Sequence, residues 1–278
     1  MAQIDEAAAI GSGGATRSAA VAQWDAQQAG RRRAILVGRV LVGVLFLAFW
    51  EWSSGRLVDS LFISAPSAVG FRLWRWVATG SIWPHLYVTL YATAFGFVIG
   101  AAVGFALGLL FGRNQTVADI FDPYITALYS IPKIALAPLF IIWFGIGIES
   151  KIAVSASIVF FVVFLNTYAG VRDVNPLYIH ATRIMGGGAA EVLRHVVVPS
   201  ATAWVITGLK VSVPYALVGT VIGEFMSANR GIGFLISQAT GLFDTTSVFG
   251  GLFILGLCGA LINVALRHTE AWLLRWKG

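Results

Sequence analysis

The chain has 278 residues, of which 58% are hydrophobic and 12% charged, and its mean hydropathy is +0.80. That composition leaves too little polar surface for a soluble globule and describes a polytopic membrane protein. The formal net charge is +6, but Lys and Arg flank apolar runs and form no basic face with interleaved aromatics, which argues against nucleic acid and leaves membrane lipid as the main surroundings.

Residues 1–33 are polar and rich in Ala, Gln and Gly, a mobile cytoplasmic tail ahead of a membrane domain at 34–278. Arg31, Arg32 and Arg33 before an apolar run resemble the start of a signal peptide. The run is long enough to span and no small-residue cleavage site follows it, so it reads as an anchor that stays. Six apolar runs are about the 20 residues that a bilayer-crossing helix needs: 34–52, 85–111, 123–145, 151–171, 201–223 and 248–267. The predicted fold is therefore all-α, a six-helix transmembrane bundle.

Between the first two runs, Trp74, Trp76 and Trp83 alternate with Arg72, Arg75 and Pro84, as at a membrane surface. This segment is either an amphipathic helix on the outer face or a cap packed over the bundle. In the second run Gly96, Gly100, Gly104, Gly108 and Gly112 recur at every fourth residue, a winding stripe that lets another backbone approach closely. Packing within one subunit is the simpler reading, with a subunit contact or a sliding surface as the alternative. Gly250, Gly251, Gly256 and Gly259 of the sixth run are candidate partners.

In the third run Asp122 before Pro123 reads as an N-cap with proline at the first helical position. Pro132 and Pro138 each remove an amide donor, so the helix is expected to kink or break in mid-membrane. Lys133 at that interruption and Glu224 at the end of the fifth run are ionisable groups at membrane depth, candidates for a translocation path or gate. Snorkelling of Lys133 and a headgroup position for Glu224 are the alternatives. Cys258, the single cysteine, reads as a small packing residue and permits no intrachain disulfide.

Six spans place both termini on one side. That side collects Arg17, Arg31, Arg32, Arg33, Arg39, Arg113, Arg172, Arg183, Arg194, Lys210, Arg267, Arg275 and Lys277, against Arg56, Arg72, Arg75, Lys151 and Arg230 opposite. The bias makes it the cytoplasmic side. The long polar loop of about 178–199, HATRIMGGGAAEVLRHVVVP over 180–199, then faces the cytoplasm. A loop that merely reversed the chain would be shorter.

No G-x-x-x-x-G-K-[ST] is present, so the chain cradles no triphosphate itself. His85, His180, His195 and His268 are scattered over loops and span ends, and no metal-ligand spacing emerges. Gly11-Ser12-Gly13 lies in the tail, too loosely held for a nucleophile elbow. Neither a catalytic residue nor a metal site is expected.

The loop resembles the cytoplasmic signature of binding-protein-dependent ABC importer permeases: E-A-A, three residues, G, nine residues, I, one residue, L, P. Here the matching positions are His180, Ala181, Thr182, Gly186, Val196, Val198 and Pro199. The spacing is intact, with His180 in place of Glu and Thr182 in place of the second Ala. ISAPSAV at 63–69, PKIALAPLFIIWFGIG at 132–147, Ser150-Lys151-Ile152, Asn166-Thr167, Glu224 and Gly231-Ile232-Gly233 are similar to segments of the nitrate, sulfonate and taurine branch. The resemblance runs from about residue 60 to the C-terminus.

It implies a non-enzymatic permease subunit of a bacterial inner membrane, with both termini cytoplasmic. Two copies would form a path for a small anionic solute, two ATP-binding subunits holding ATP and Mg would dock beneath, and an extracytoplasmic solute-binding protein would deliver from above. The expected ATPase-coupling residues are His180, Ala181, Thr182, Arg183, Gly186, Gly187, Gly188, Glu191, Arg194 and Pro199. Pyrimidine vitamin precursors and aromatic carboxylates are alternative solutes of similar permeases. A stand-alone secondary transporter or channel is the alternative of another class, although no internal repeat is evident.

Overall fold

The computed structural model describes residues 30–226 and 229–273; the tail expected over the first residues lies almost wholly outside them. The chain divides after Ser67 into two compact units. The first contains α1 (Gly30–Ser53), an apolar helix with none of its span buried. After α1 the chain turns back on itself: Ser54 Oγ donates to the Ile63 carbonyl at 2.8 Å, and the Glu51 carboxylate accepts from the Ser67 amide at 2.9 Å and its hydroxyl at 2.7 Å.

From α2 (Pro66–Ala78) the second unit continues through α3 (Trp83–Arg113), α4 (Gln115–Ser130), a 3-10 turn (Lys133–Leu136), α5 (Ala137–Phe144) and α6 (Ile148–Arg172). Then follow α7 (Pro176–Ile184), α8 (Ala189–Val192), a π turn (Leu193–Val197), α9 (Val198–Met226), α10 (Ile232–Gly241) and α11 (Thr245–Leu273). No strand occurs among the described residues, only an isolated bridge between Ser54 and Val58. Among the described residues five helices are long and apolar enough to cross a bilayer, and the α4–α5 pair, bent by 85°, makes a sixth crossing if it counts as one.

The centre of the bundle is α6, packed between α3 and α9. The glycine stripe of α3 makes one contact. A Cβ on Gly100 would lie 2.5 Å from the Ala156 carbonyl oxygen, one on Gly104 2.7 Å from that of Phe160, and one on Gly108 2.8 Å from that of Phe164. Gly96 abuts the Ser155 side chain, and a Cβ on Gly112 would stand 2.6 Å from the Val171 Cβ. The stripe is thus a packing surface within one subunit, and its partner is α6, not the expected sixth run. In that run Gly250 faces Trp76, Gly251 faces Ile236, and Gly256 meets open space.

On its other side α6 meets small residues of α9. A Cβ on Gly219 would lie 2.7 Å from Ser155 Cα, and one on Gly223 3.0 Å from Lys151 Cα. Ala101, Val159, Val163 and Ala216 form the buried centre of this three-helix core. Small residues set helix axes close, so dispersion and backbone contact hold the bundle where lipid removes the hydrophobic advantage of burial.

The third crossing starts earlier than expected. Asn114 ends α3 and caps α4, its side chain accepting from the Val117 amide at 3.3 Å. Pro123 therefore lies inside α4 and does not open it. The predicted break is present: Ile131 and Pro132 are extended, and Pro138 occupies the first turn of α5, where its missing amide costs nothing. Helix α2 packs on the bundle by one face and leaves apolar side chains exposed on the other. Trp74 and Phe71 are exposed, while Trp76 packs on Gly250 and Arg72 pairs with Asp244 at 2.6 Å.

Candidate functional site

Three polar places stand out in this apolar bundle. The first is the loop at the C-terminal end of α6. Asn175 caps α7 by accepting from the Leu177 amide at 2.9 Å, with Pro176 at the first helical position. Gly186 ends the helix at φ 85°, a conformation that favours glycine, and its amide donates to the Arg183 carbonyl at 3.0 Å. The Gly187 amide donates to the Thr182 carbonyl at 2.9 Å. Thr182 also uses its hydroxyl locally, on the Tyr178 carbonyl at 2.9 Å.

Beneath the loop, Val171, Val174, Val192, Val196, Val197 and Ala201 form a buried cluster, so the elbow is fixed to the ends of α6 and α9. Its outer face is unusual for a polar loop: Leu177 is 72% exposed, Ile184 87% and Met185 79%. His180, Ala181, Arg183, Glu191 and Arg194 are exposed around them. Gly188 lies beside the Glu191 carboxylate. Pro199 falls in the first turn of α9, although helix runs continuously from Ala189 to Met226. Proline has no amide to give the preceding turn, and the π turn accommodates the loss, its Val198 amide donating back to the Leu193 carbonyl.

The second place lies at the opposite ends of α6 and α9. The 25 residues of α6 separate the two sites by about 37 Å at 1.5 Å per residue. Glu224 is fully buried, and its carboxylate accepts from the Thr89 hydroxyl at 2.7 Å and the Gly233 amide at 2.8 Å. The Ile232 amide donates to Thr89 Oγ1 at 2.9 Å. Glu224 and Thr89 therefore serve as a remote N-cap for α10, meeting amides that the helix itself leaves unpaired.

Gly231, at φ 128°, abuts the Glu224 carboxyl, where a Cβ has no room, and His85 Nδ1 lies 3.1 Å from its carbonyl. Lys151 is 1% exposed; its Nζ donates to Asn229 Oδ1 at 3.1 Å and to the Arg230 carbonyl at 2.5 Å. Asn229 Nδ2 donates to the Ile146 carbonyl at 2.7 Å. The result is a polar knot joining α3, the α5–α6 turn, α6, α9 and α10. The Glu224 carboxylate is enclosed by protein on every side.

The third place is the α4–α5 break. Lys133 Nζ donates to the carbonyls of Leu128 at 3.0 Å, Tyr129 at 2.7 Å and Ile131 at 2.7 Å, and lies 4.3 Å from the centre of the Phe161 ring. It closes the end of α4, whose last carbonyls carry partial negative charge. It also lines a cleft of about 530 Å³ between the break, α6 and α9. The structure does not bring Lys133 and Glu224 into one site: they belong to separate networks.

Comparison with known proteins agrees with this architecture. Residues 96–275 match the family model of the binding-protein-dependent transport system inner membrane component. This chain belongs to that family. It is 32% identical to the formylaminopyrimidine transport permease protein ThiX of Halalkalibacterium halodurans, over 84% of this chain and 93% of the relative. It is 34% identical to the riboflavin transport system permease protein RibX of Chloroflexus aurantiacus, over 84% and 88%. With the taurine transport system permease protein TauC of Escherichia coli it shares 29% identity over 85% and 88%. Among solved structures, an amino acid ABC transporter with histidines superposes with a TM-score of 0.56 at 19% identity, over 73% of this chain and 97% of that one, a likeness of fold. The chain is a multi-pass ABC transporter permease subunit.

Sequence reading missed Thr89, Asn229 and Lys151 as members of the knot. Lys151 read as a charge flanking a span, because its burial depends on the chain that returns from α9. Glu224 shortly precedes Gly231-Ile232-Gly233 in the chain, and two glycines near a carboxylate are the signal that points to the remote cap.

Proposed function

We propose that this chain is the transmembrane subunit of an ATP-driven importer: two copies enclose a path, two separate ATP-binding subunits dock on the 178–199 loop, and an extracytoplasmic solute-binding protein delivers the solute. Both termini then face the cytoplasm of a bacterial inner-membrane protein, as the Lys and Arg distribution favours. The observation that carries the reading is the elbow itself. It presents Leu177, Ile184 and Met185 to the outside on a short helix while its underside is tied to α6 and α9 through a valine cluster. Exposed apolar groups ringed by polar ones are the surface of a protein contact. ATP and Mg belong to the partner subunits, and this chain contributes the lever.

Relatives include permeases named for taurine and sulfonates and others named for a formylaminopyrimidine and riboflavin. The proposed solute is a small molecule of one of these kinds. An inorganic anion such as nitrate is disfavoured at the α4–α5 break, because the three Lys133 donors are already used.

The test is copurification of tagged ATP-binding subunits with Gly186→Pro and with Met185→Asp. Gly186 has φ 85° and donates its amide, neither of which proline can reproduce. Both variants are expected to lose ATPase subunits and uptake together while the membrane bundle still elutes as a folded species. Retention of both ATPase binding and uptake would refute docking at this elbow.

A further inference from the structure

The cleft at the α4–α5 break holds a set of groups that the fold does not use up. Its walls include Tyr129, Lys133, Phe161, Asn166 and Tyr215. Asn166 Nδ2 gives one hydrogen to the Val162 carbonyl at 2.8 Å. Its Oδ1 makes no hydrogen bond among the described residues, nor do the hydroxyls of Tyr129 and Tyr215. The base of Asn166 is fixed, since a Cβ on Gly208 of α9 would lie 2.7 Å from its own Cβ. Tyr215 is 48% exposed. No acidic side chain lines the cleft among the described residues.

We infer that this cleft is a solute subsite of the translocation path, and that it takes a planar nitrogen heterocycle and not a small sulfonate or inorganic anion. The inference rests on the importer reading and adds the class of solute to it. Two arguments lead to it. An anion is held by charge-assisted donors, and an ammonium has three; all three of Lys133 are committed to backbone carbonyls, so the lysine offers a field but no hydrogen. What remains open is a fixed amide, two phenolic hydroxyls and the ring of Tyr215, since Lys133 already lies over the rings of Tyr129 and Phe161; these groups read the edge of a heterocycle and stack on its plane. The second argument is size. About 530 Å³ lies within the range of small-molecule sites, roughly 300–1,000 Å³, whereas a taurine-sized solute would leave the aromatic walls unfilled.

The experiment uses the whole transporter, with its ATP-binding subunits and its binding protein, in proteoliposomes. Cytosine, riboflavin and taurine are offered singly, and both uptake and ATP hydrolysis are followed. One of the two heterocycles is expected to stimulate hydrolysis and to accumulate. Asn166→Leu and Tyr215→Ala should each lower that uptake about tenfold, the usual penalty for an unmatched polar edge or a lost stack, while ATPase subunits still copurify. Tyr215 is half exposed, so its replacement leaves the packing intact and keeps the test open if Asn166→Leu fails to assemble. Accumulation of taurine, accumulation of neither heterocycle, or uptake by Tyr215→Ala within twofold of the parent overturns the assignment. Failure of any ATPase subunit to copurify with the parent chain overturns the importer reading, and this assignment with it.

Discussion

Replacing Glu224 separates a structural knot from a transport path. Glu224→Ala removes the acceptor of the Gly233 amide and of the Thr89 hydroxyl, and it leaves the Lys151 ammonium buried without the carboxylate that acts on it. Leaving a buried donor without its acceptor costs about 1–3 kcal/mol, so losing the acceptor of two donors costs about 2–6 kcal/mol. At about 2 °C per kcal/mol for a chain of this length, the melting midpoint should fall by about 4–12 °C.

Glu224→Gln behaves differently on the same geometry. The amide oxygen can accept from the Gly233 amide while the amide nitrogen donates to Thr89 Oγ1, whose own hydrogen turns to the His85 carbonyl 3.1 Å away. Only the charge is lost, at about 1–2 kcal/mol, near the value of a hydrogen bond to a charged group. The assay is thermal unfolding of the purified permease in detergent, followed by size-exclusion recovery, with uptake measured in parallel. A Glu224→Ala midpoint within about 2 °C of the parent, less than 1 kcal/mol on this scale, would refute the knot. Abolished uptake by Glu224→Gln at an unchanged midpoint would return Glu224 to the translocation path.

Gly104→Leu should lower the yield of folded monomer severely, because its Cβ would stand 2.7 Å from a backbone oxygen of α6 that cannot withdraw; an overpacking cost of at least about 3 kcal/mol is expected. Gly256→Leu, with nothing within 4 Å, should stay within about 0.5 kcal/mol of the parent in the same gel-filtration assay. Lys133→Met leaves three carbonyls without their donor and should cost about 1–3 kcal/mol in thermal unfolding, with Lys133→Arg recovering part of it. Burial pushes the Asp244 carboxyl up, but hydrogen bonds from Ser247 and Arg72 outweigh it and hold it below the usual carboxylate range. Its contribution is therefore complete above the unfolded value near 4 and lost as pH falls through the lower folded value. The pair is about one-third exposed, so an acid-side midpoint difference between parent and Asp244→Asn should amount to under about 1 kcal/mol.

The sequence disclosed those features whose cause is local. The loop of 178–199 was legible because its glycines and Pro199 dictate backbone conformation, and Gly186 duly takes a positive φ. The break at Pro132 follows from a missing donor. The stripe from Gly96 to Gly112 announced close approach, but which helix approaches is tertiary information, and the less regular glycines of α11 were an incorrect choice. Asp122-Pro123 misled for a related reason: a cap signal was present, but Asn114 offered an earlier one, and a proline inside α4 cost less than restarting the helix. Asn166, Tyr129 and Tyr215 lie far apart in sequence and share no motif, so only the bent α4–α5 pair gathers them.

The mechanical consequence of this packing bears on how a loop can move a membrane domain. Between α3 and α6 the nearest contact is to a backbone oxygen at three successive turns, Gly100, Gly104 and Gly108, and the flanking Gly96 and Gly112 meet the short side chains of Ser155 and Val171. Close-packed interiors transmit strain instead of dissipating it. A force on α7 would therefore pass through the valine cluster into α6 and carry α3 with it as one body, while α9 leaves the loop through a π turn, a place where helices bend. At the far end the same body terminates in the Glu224–Lys151 knot, which ties α10 and the α5–α6 turn to it. Among the described residues the bent helix pair is α4–α5, and its cleft is bordered by both α6 and α9. Displacing the α6 body against α9 must change the width of that cleft and also shear the close α6–α9 contact at Gly219 and Gly223.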